Sequence, residues 1–439
     1  MKHPHSAKHA YHRLERREFI VSAVATGFAL ALRPIWAQTT THGAGVNIGT
    51  DETSARNDKQ DAAGPQSQQA PGIVSLFLCG DVMTGRGIDQ ILPHPGSPVL
   101  FEGYMKNAIG YVELAEEVNG PIPKPVEFSY IWGDALAELD RRKPDIRIVN
   151  LETAVTRSND AEDKAVNYRM HPGNIPCITA AKIDCCTLAN NHVLDWGYPG
   201  LAETLKTLKQ ANIKTTGAGH NIQEARAPAV IAVSRKGRVL VFSFGSETSG
   251  IPWSWAAAPD RPGVNLLPDL SAGTIRDIGN SIEQVKLEGD IAIASIHWGS
   301  NWGYEVPRGQ REFAHRLIDE ANVDIVHGHS SHHVKGIEVY KGKLILHGCG
   351  DFLNDYEGIS GHETYRGDLV LMYFVSTDPS SGNLISLDMT AMQIKHFRLY
   401  RASEEDARWL KNVLKREGEK FGTSVELGAD NTLMLRWVV

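Results

Sequence analysis

From residue 73 onward the chain alternates short apolar runs with stretches of helical periodicity. Residues 73–79, 146–149, 183–188, 238–244, 290–296 and 323–326 are compact apolar runs, each leading into a polar or glycine-containing step. Such runs read as strands buried on both faces. Between them, residues 132–142, 198–211, 275–287 and 310–321 repeat their apolar side chains at helical spacing. Residues 337–340 and 343–346 flank Lys341-Gly342 as a hairpin, and 369–375 reads as a strand on an antiparallel edge. Alternating strands and helices predict an α/β fold, and the hairpins predict mixed rather than purely parallel sheets. One domain is expected over 73–400, with a helix-strand extension over 401–439.

The polar residues at the ends of the apolar runs carry more information than the runs themselves. Asp81 stands after the first run, Asn150 and Glu152 after the second, and Asn191 and His192, with Asp195, after the third. His297 ends a later run, and His327, His329, His332 and His333 come after the last. Asn and Asp favour turns and helix caps on backbone grounds, so each position alone has an ordinary explanation. Five strand ends in order, all bearing such groups, point to loops converging on one ligand site. A set of Asp, Glu, Asn and His without Cys suits Mn, Fe, Zn, Mg or Ca bound through oxygen and nitrogen. Arg86, close after Asp81, is a candidate for holding an anionic substrate oxygen, or else an ion-pair residue. Trp298, Trp302 and Tyr304 can floor a groove or simply pack their loop.

The motifs Gly80-Asp81-Val82-Met83 with Gly85-Arg86, Asn150-Leu151-Glu152, Asn190-Asn191-His192, His297-Trp298-Gly299 and Gly328-His329-Ser330-Ser331-His332 resemble those of the CapA family. That family is named for poly-γ-glutamate capsule synthesis and is similar to the calcineurin-like metallophosphatases. The resemblance spans residues 73–375 and implies a four-layer αββα sandwich of two mixed sheets between helices. It implies two divalent metal ions held by Asp81, Glu152, Asn191, His297, His329 and His332, with His192 as the acid near a leaving group. Two departures stand out: Ser330-Ser331 replaces the family's His-Pro, and Gly350-Asp351-Phe352 replaces its Gly-Asn-Phe. The implied activity is a phosphoesterase-type hydrolysis. The alternative is an accessory factor that binds or helps export an anionic polymer alongside capsule-synthesis membrane proteins.

The N-terminus gives an address. Arg16-Arg17 and the modest apolar run over 19–32 read as a twin-arginine signal peptide over residues 1–37, or else as an uncleaved anchor. Either way an exported, extracytoplasmic protein is expected, membrane-tethered if the signal stays. Residues 38–72 have almost no large apolar side chain and read as a linker. The signal carries six Lys/Arg and two acids, so the remainder has a formal charge of −11 rather than −7. An acidic chain argues against nucleic acid as a partner; an anionic substrate would need a local cation, for which bound metal is the obvious source. Five cysteines without paired spacing read as buried thiols.

Overall fold

The computed structural model describes residues 72–438. The signal peptide expected over 1–37 and nearly all of the linker expected over 38–72 lie outside the described residues.

Two mixed sheets organise the chain. In the ten-stranded sheet, Val74–Val82 runs parallel to Ile146–Leu151, which pairs with Cys185–Thr187, and that strand in turn with Lys214–Thr216. On its other side Val74–Val82 meets Leu369–Thr377 antiparallel, followed by Leu384–Lys395, Thr432–Trp437 and Thr423–Leu427. The six-stranded sheet has a parallel centre of Gly237–Gly245, Ile291–His297, Ile325–His329 and Lys343–Leu346. Antiparallel strands Ala229–Val233 and Ile337–Tyr340 close its edges.

Strand alternation decides the layers, because successive side chains point to opposite faces. Val74, Leu76 and Leu78 meet Val239, Val241, Ile291 and Ile293 in a core between the two sheets. Phe77 and Cys79, from the other face, pack with Val112, Leu139, Leu201 and Leu208 of an outer helical layer. The opposite face of the second sheet, through Phe242, Ala294 and Ile296, buries Ile275, Ile278, Phe313 and Leu317. Those come from helices Ala272–Glu283 and Arg308–Ala321. The result is the four-layer αββα arrangement.

Several boundaries differ from expectation for identifiable reasons. The strand expected over 323–326 is Ile325–His329, so His327 and His329 lie inside it rather than beyond it. Both are buried, and Ser295 on the neighbouring strand bonds both rings. The residues after 401, expected as an extension, complete the same sandwich. Helix Glu404–Gly418 places Ala407, Leu410 and Leu414 in the inter-sheet core, and the last two strands extend the large sheet. All five cysteines are buried and free. Among the described residues no helix is long and apolar enough to cross a membrane.

Candidate metal centre

In both sheets the central parallel strands end on the same polar neighbourhood. Gly80 explains how the first strand reaches it. A Cβ there would lie 1.6 Å from the carbonyl oxygen of Gly350, so only glycine permits the crossing. That approach lets the Asp81 amide donate to Gly350 O at 3.1 Å and sets Asp81 beside Asp351 in register.

Asp81, His297 and His329 present donor atoms that all lie within 4.8 Å of one another, a grouping able to hold a metal ion. All three are at most 1% exposed. His329 Nδ1 is 3.7 Å from Asp81 Oδ1 and 2.8 Å from His297 Nδ1. Its Nε2 is engaged by Ser295 Oγ at 2.9 Å, which leaves Nδ1 for the centre. Asp81 is oriented from two sides, by Asn150 Nδ2 at 2.7 Å and by the Ser330 amide at 3.0 Å. Ser330 holds that amide in place with φ 98°, an uncommon conformation for a non-glycine residue. This is where the sequence departs from the family motif. Ser331 Oγ then donates to His333 O, and the loop still delivers His332 to the centre.

His297 links this trio to a second group. Its Nε2 lies 2.9 Å from Asn191 Oδ1 and 3.5 Å from Glu152 Oε1. His332 joins from the other side, its Nδ1 donating to Asp351 Oδ1 at 2.9 Å. All six residues expected as ligands therefore border one neighbourhood, with Asp81, His297 and His329 at its tightest point.

The electrostatics are those of surplus negative charge in a dry place. Burial, with Asp351 alongside, pushes the Asp81 carboxyl up to about 7. Burial and the neighbouring Asp81 and Asp351 raise Glu152 well above the usual carboxylate range. Burial, reinforced by neighbouring histidines, keeps His297 and His329 far below their ordinary pKa, so both rings are neutral. Burial opposes charge on His332 too, but Asp351 outweighs it and raises the ring. Glu152 Oε2 is buried with no hydrogen-bond partner among the described residues. An orphaned carboxylate oxygen costs free energy unless something cationic takes it. The residues fit a divalent cation, because lone pairs of neutral imidazoles and carboxylates face one another without enough protons to share.

His192 stands next to the ligand group. Its Nδ1 is 2.6 Å from Asp195 Oδ2, and its Nε2 is 3.8 Å from Glu152 Oε1. The carboxylate accepts, so Nδ1 carries the proton and Nε2 keeps its lone pair toward the centre. Burial lowers the ring to about 4, with Asp195 pulling the other way. Lys164, which carried no signal in the sequence, donates to Asp195 Oδ1 at 2.7 Å and to the Asn191 carbonyl. Its own segment has no motif; only the fold brings it to the His192–Asp195 pair.

Arg86 corrects the expectation of a substrate-holding cation. It is 3% exposed and already committed. Asp355 accepts from its Nε at 3.1 Å and its Nη2 at 2.5 Å, and Glu102 and Tyr111 accept from its Nη1 at 3.1 and 2.9 Å. Its guanidinium lies 3.8 Å over the Tyr111 ring and 4.4 Å over Tyr168. Four of its five donors are taken inside the protein, so a substrate oxygen finds no free fork. Trp298 is likewise packing, buried against Phe313 with its indole N–H on His347 O. His327 is structural, spanning Ser295 Oγ and Cys79 O.

Comparison with known proteins identifies the family. Residues 75–356 match the model of the family described as bacterial capsule synthesis protein PGA_cap. The probable polyglutamine synthesis accessory protein Rv0574c of Mycobacterium tuberculosis is 51% identical over 365 residues, covering 83% of this chain and 96% of that protein. The capsule biosynthesis protein CapA of Bacillus anthracis is 23% identical over 68% of this chain and 64% of its own. The PGA biosynthesis protein CapA of Bacillus subtilis is 26% identical over 64% of each chain. The family match runs from the first strand through the loop after Asp351, taking in every residue of the centre, and the chain belongs to the PGA_cap family of bacterial capsule synthesis proteins.

Proposed function

We propose that this protein is an exported, metal-dependent hydrolase of the phosphoesterase type, acting in the metabolism of an extracellular anionic polymer such as poly-γ-glutamate. The observation that carries the reading is the convergence of Asp81, His297 and His329 from strands of two different sheets, in surplus negative charge. Asp81, His297 and His329 would hold one ion, and Glu152 and Asn191, on the Nε2 side of His297, would offer donors for a second. His332, oriented by Asp351, completes the set. Bound divalent ions supply Lewis acidity and a water acidic enough to attack near neutral pH.

The chain's own residues handle orientation and protons. Asn150 and the Ser330 amide fix the Asp81 carboxylate, and Ser295 fixes the tautomer of His329. Asp195 fixes Nδ1–H of His192, so proton exchange with a leaving oxygen takes place at Nε2. An anionic group arriving beside Nε2 favours the imidazolium, which Asp195 stabilises. Lys164 pairs with Asp195 Oδ1 at 2.7 Å and holds the carboxylate in place. The polymer context rests on the relatives, which are named for polyglutamine synthesis, capsule biosynthesis and PGA biosynthesis.

Elemental analysis of the purified protein tests the centre. About two equivalents of metal, lost in an Asp81→Ala, His329→Ala double variant, are expected. No metal after reconstitution would refute the reading. The word "accessory" in the Mycobacterium relative's name favours a second reading, in which the metal holds an anionic polymer without cleaving it. Metal content with no turnover across phosphomonoesters and phosphodiesters would select it.

A further inference from the structure

Beside the centre, on the His332 side, opens a cleft of about 410 Å³. That size suits a small-molecule ligand rather than a water cluster. Its inner wall is continuous with the centre. Asn354 donates to Asp351 Oδ2 at 2.8 Å, the Tyr356 ring lies 5.3 Å from that of His332, and Trp302 lies 5.4 Å from it. Its outer walls are Val118, at the end of helix Ile109–Asn119, and Ile359 on the loop after Tyr356.

Several polar groups along this cleft are already held by partners within the protein. Arg366 gives Nε and Nη2 to Asp368 at 2.8 and 2.9 Å and Nη2 also to Asp406 at 2.8 Å. Glu357 accepts from the His396 and Phe397 amides at 2.8 and 2.6 Å. Gln393 donates to Asp368 at 2.8 Å. Val118, 57% exposed, Ile359 and Ile394 give the cleft an apolar wall, with His362 stacked on Trp302 and Lys395 exposed. The lining acids Glu357, Glu363 and Asp368 outnumber the lining cations Arg366 and Lys395, so a chain of carboxylates is repelled. An uncharged hydrocarbon gains by leaving water there.

We infer that this cleft takes the apolar chain of an amphiphilic anion whose phosphate head sits at the metal centre. The inference rests on the metal-centre reading for the head group and names the substrate class: a phosphate ester of an alkyl or prenyl chain.

Calorimetric titration of the metal-loaded protein with ethyl phosphate and hexyl phosphate tests it. Hexyl phosphate should bind at least about tenfold more tightly, since four more methylenes leave water. Val118→Asp and, separately, Ile359→Asp should abolish that gain while leaving ethyl phosphate affinity and metal content unchanged. Val118 is exposed at a helix end, so its variant folds. Equal affinities for the two esters, or a gain that survives both variants, would overturn the inference. In Asp81→Ala, loss of binding of both esters is the supporting result. If the unmodified protein binds metal but neither ester, the inference falls with the metal reading intact; if it binds no metal, both fall.

Discussion

Asp81 and Arg86 stand five residues apart, both charged and both buried, and they behave in opposite ways. Around Arg86 the buried polar atoms find partners: Asp355 and Glu102 accept, Tyr111 accepts, and two tyrosine rings cover the guanidinium. Around Asp81 the neighbours are Asp351, Glu152 and neutral imidazoles, and one carboxylate oxygen has no partner among the described residues. A buried network that closes on itself is scaffold; one left with an unpartnered carboxylate oxygen among neutral imidazoles is chemically suited to a cation. From the sequence, Asp81 was expected as a metal ligand and Arg86 either as a substrate-holding cation or as an ion-pair residue.

Substitution separates them most sharply at the metal. Asp81→Ala should remove metal and lower phosphoesterase turnover by at least ~10³-fold, an effect of the kind that metal-held charge stabilisation carries. Arg86→Met, by contrast, should leave metal content per folded molecule unchanged; loss of metal there would erase the distinction. The second effect falls on stability. Arg86→Ala strands Asp355 and Glu102 in the interior and should cost about 3–5 kcal/mol in denaturant unfolding.

A third cluster extends the closed class. Glu338, 3% exposed, accepts from Arg311, His315 and His347, and these bonds, against burial, hold it down at about 2. A depressed carboxyl stabilises above its unfolded value and loses that contribution as the folded group protonates. Stability should therefore fall from about pH 4.5 toward pH 2, by on the order of 3 kcal/mol, and Glu338→Gln should flatten that window. The smallest effect has the most telling sign. Glu152→Gln should raise the melting temperature of metal-free protein by ~1–3 °C, because it removes a carboxyl that burial disfavours, and weaken metal binding. A lowered metal-free melting temperature would place Glu152 in the closed class.

The fold was legible because each buried strand was bounded by polar residues, and the strand ends alone grouped Asp81, Glu152, Asn191, His297 and His329. The four layers were implied by the family resemblance rather than by the runs themselves, since Val74–Val82 is buried on both faces. What escaped is what depends on distant pairing. Arg86 meets Asp355 across 269 positions, and nothing local at Gly85-Arg86 distinguishes a held guanidinium from a free one. Lys164 reaches Asp195 only because a loop folds back over the strand end. The segment after 401 looked peripheral since a strand's place in a sheet is decided by its partner, here Leu384–Lys395.

The central position of the first strand bears on the order of events during synthesis. Val74–Val82 carries Asp81, yet its antiparallel neighbour Leu369–Thr377 emerges from the ribosome about 300 residues later. Pairings so far apart in the chain are slow and wait for the last partner. The nascent polypeptide thus exposes an open-edged strand through most of translation, a state that calls for chaperone cover. The donor group assembles only once the strands carrying Asp81, His297 and His329 have been brought together with Asp351, so an ion held there would enter after that stage of folding.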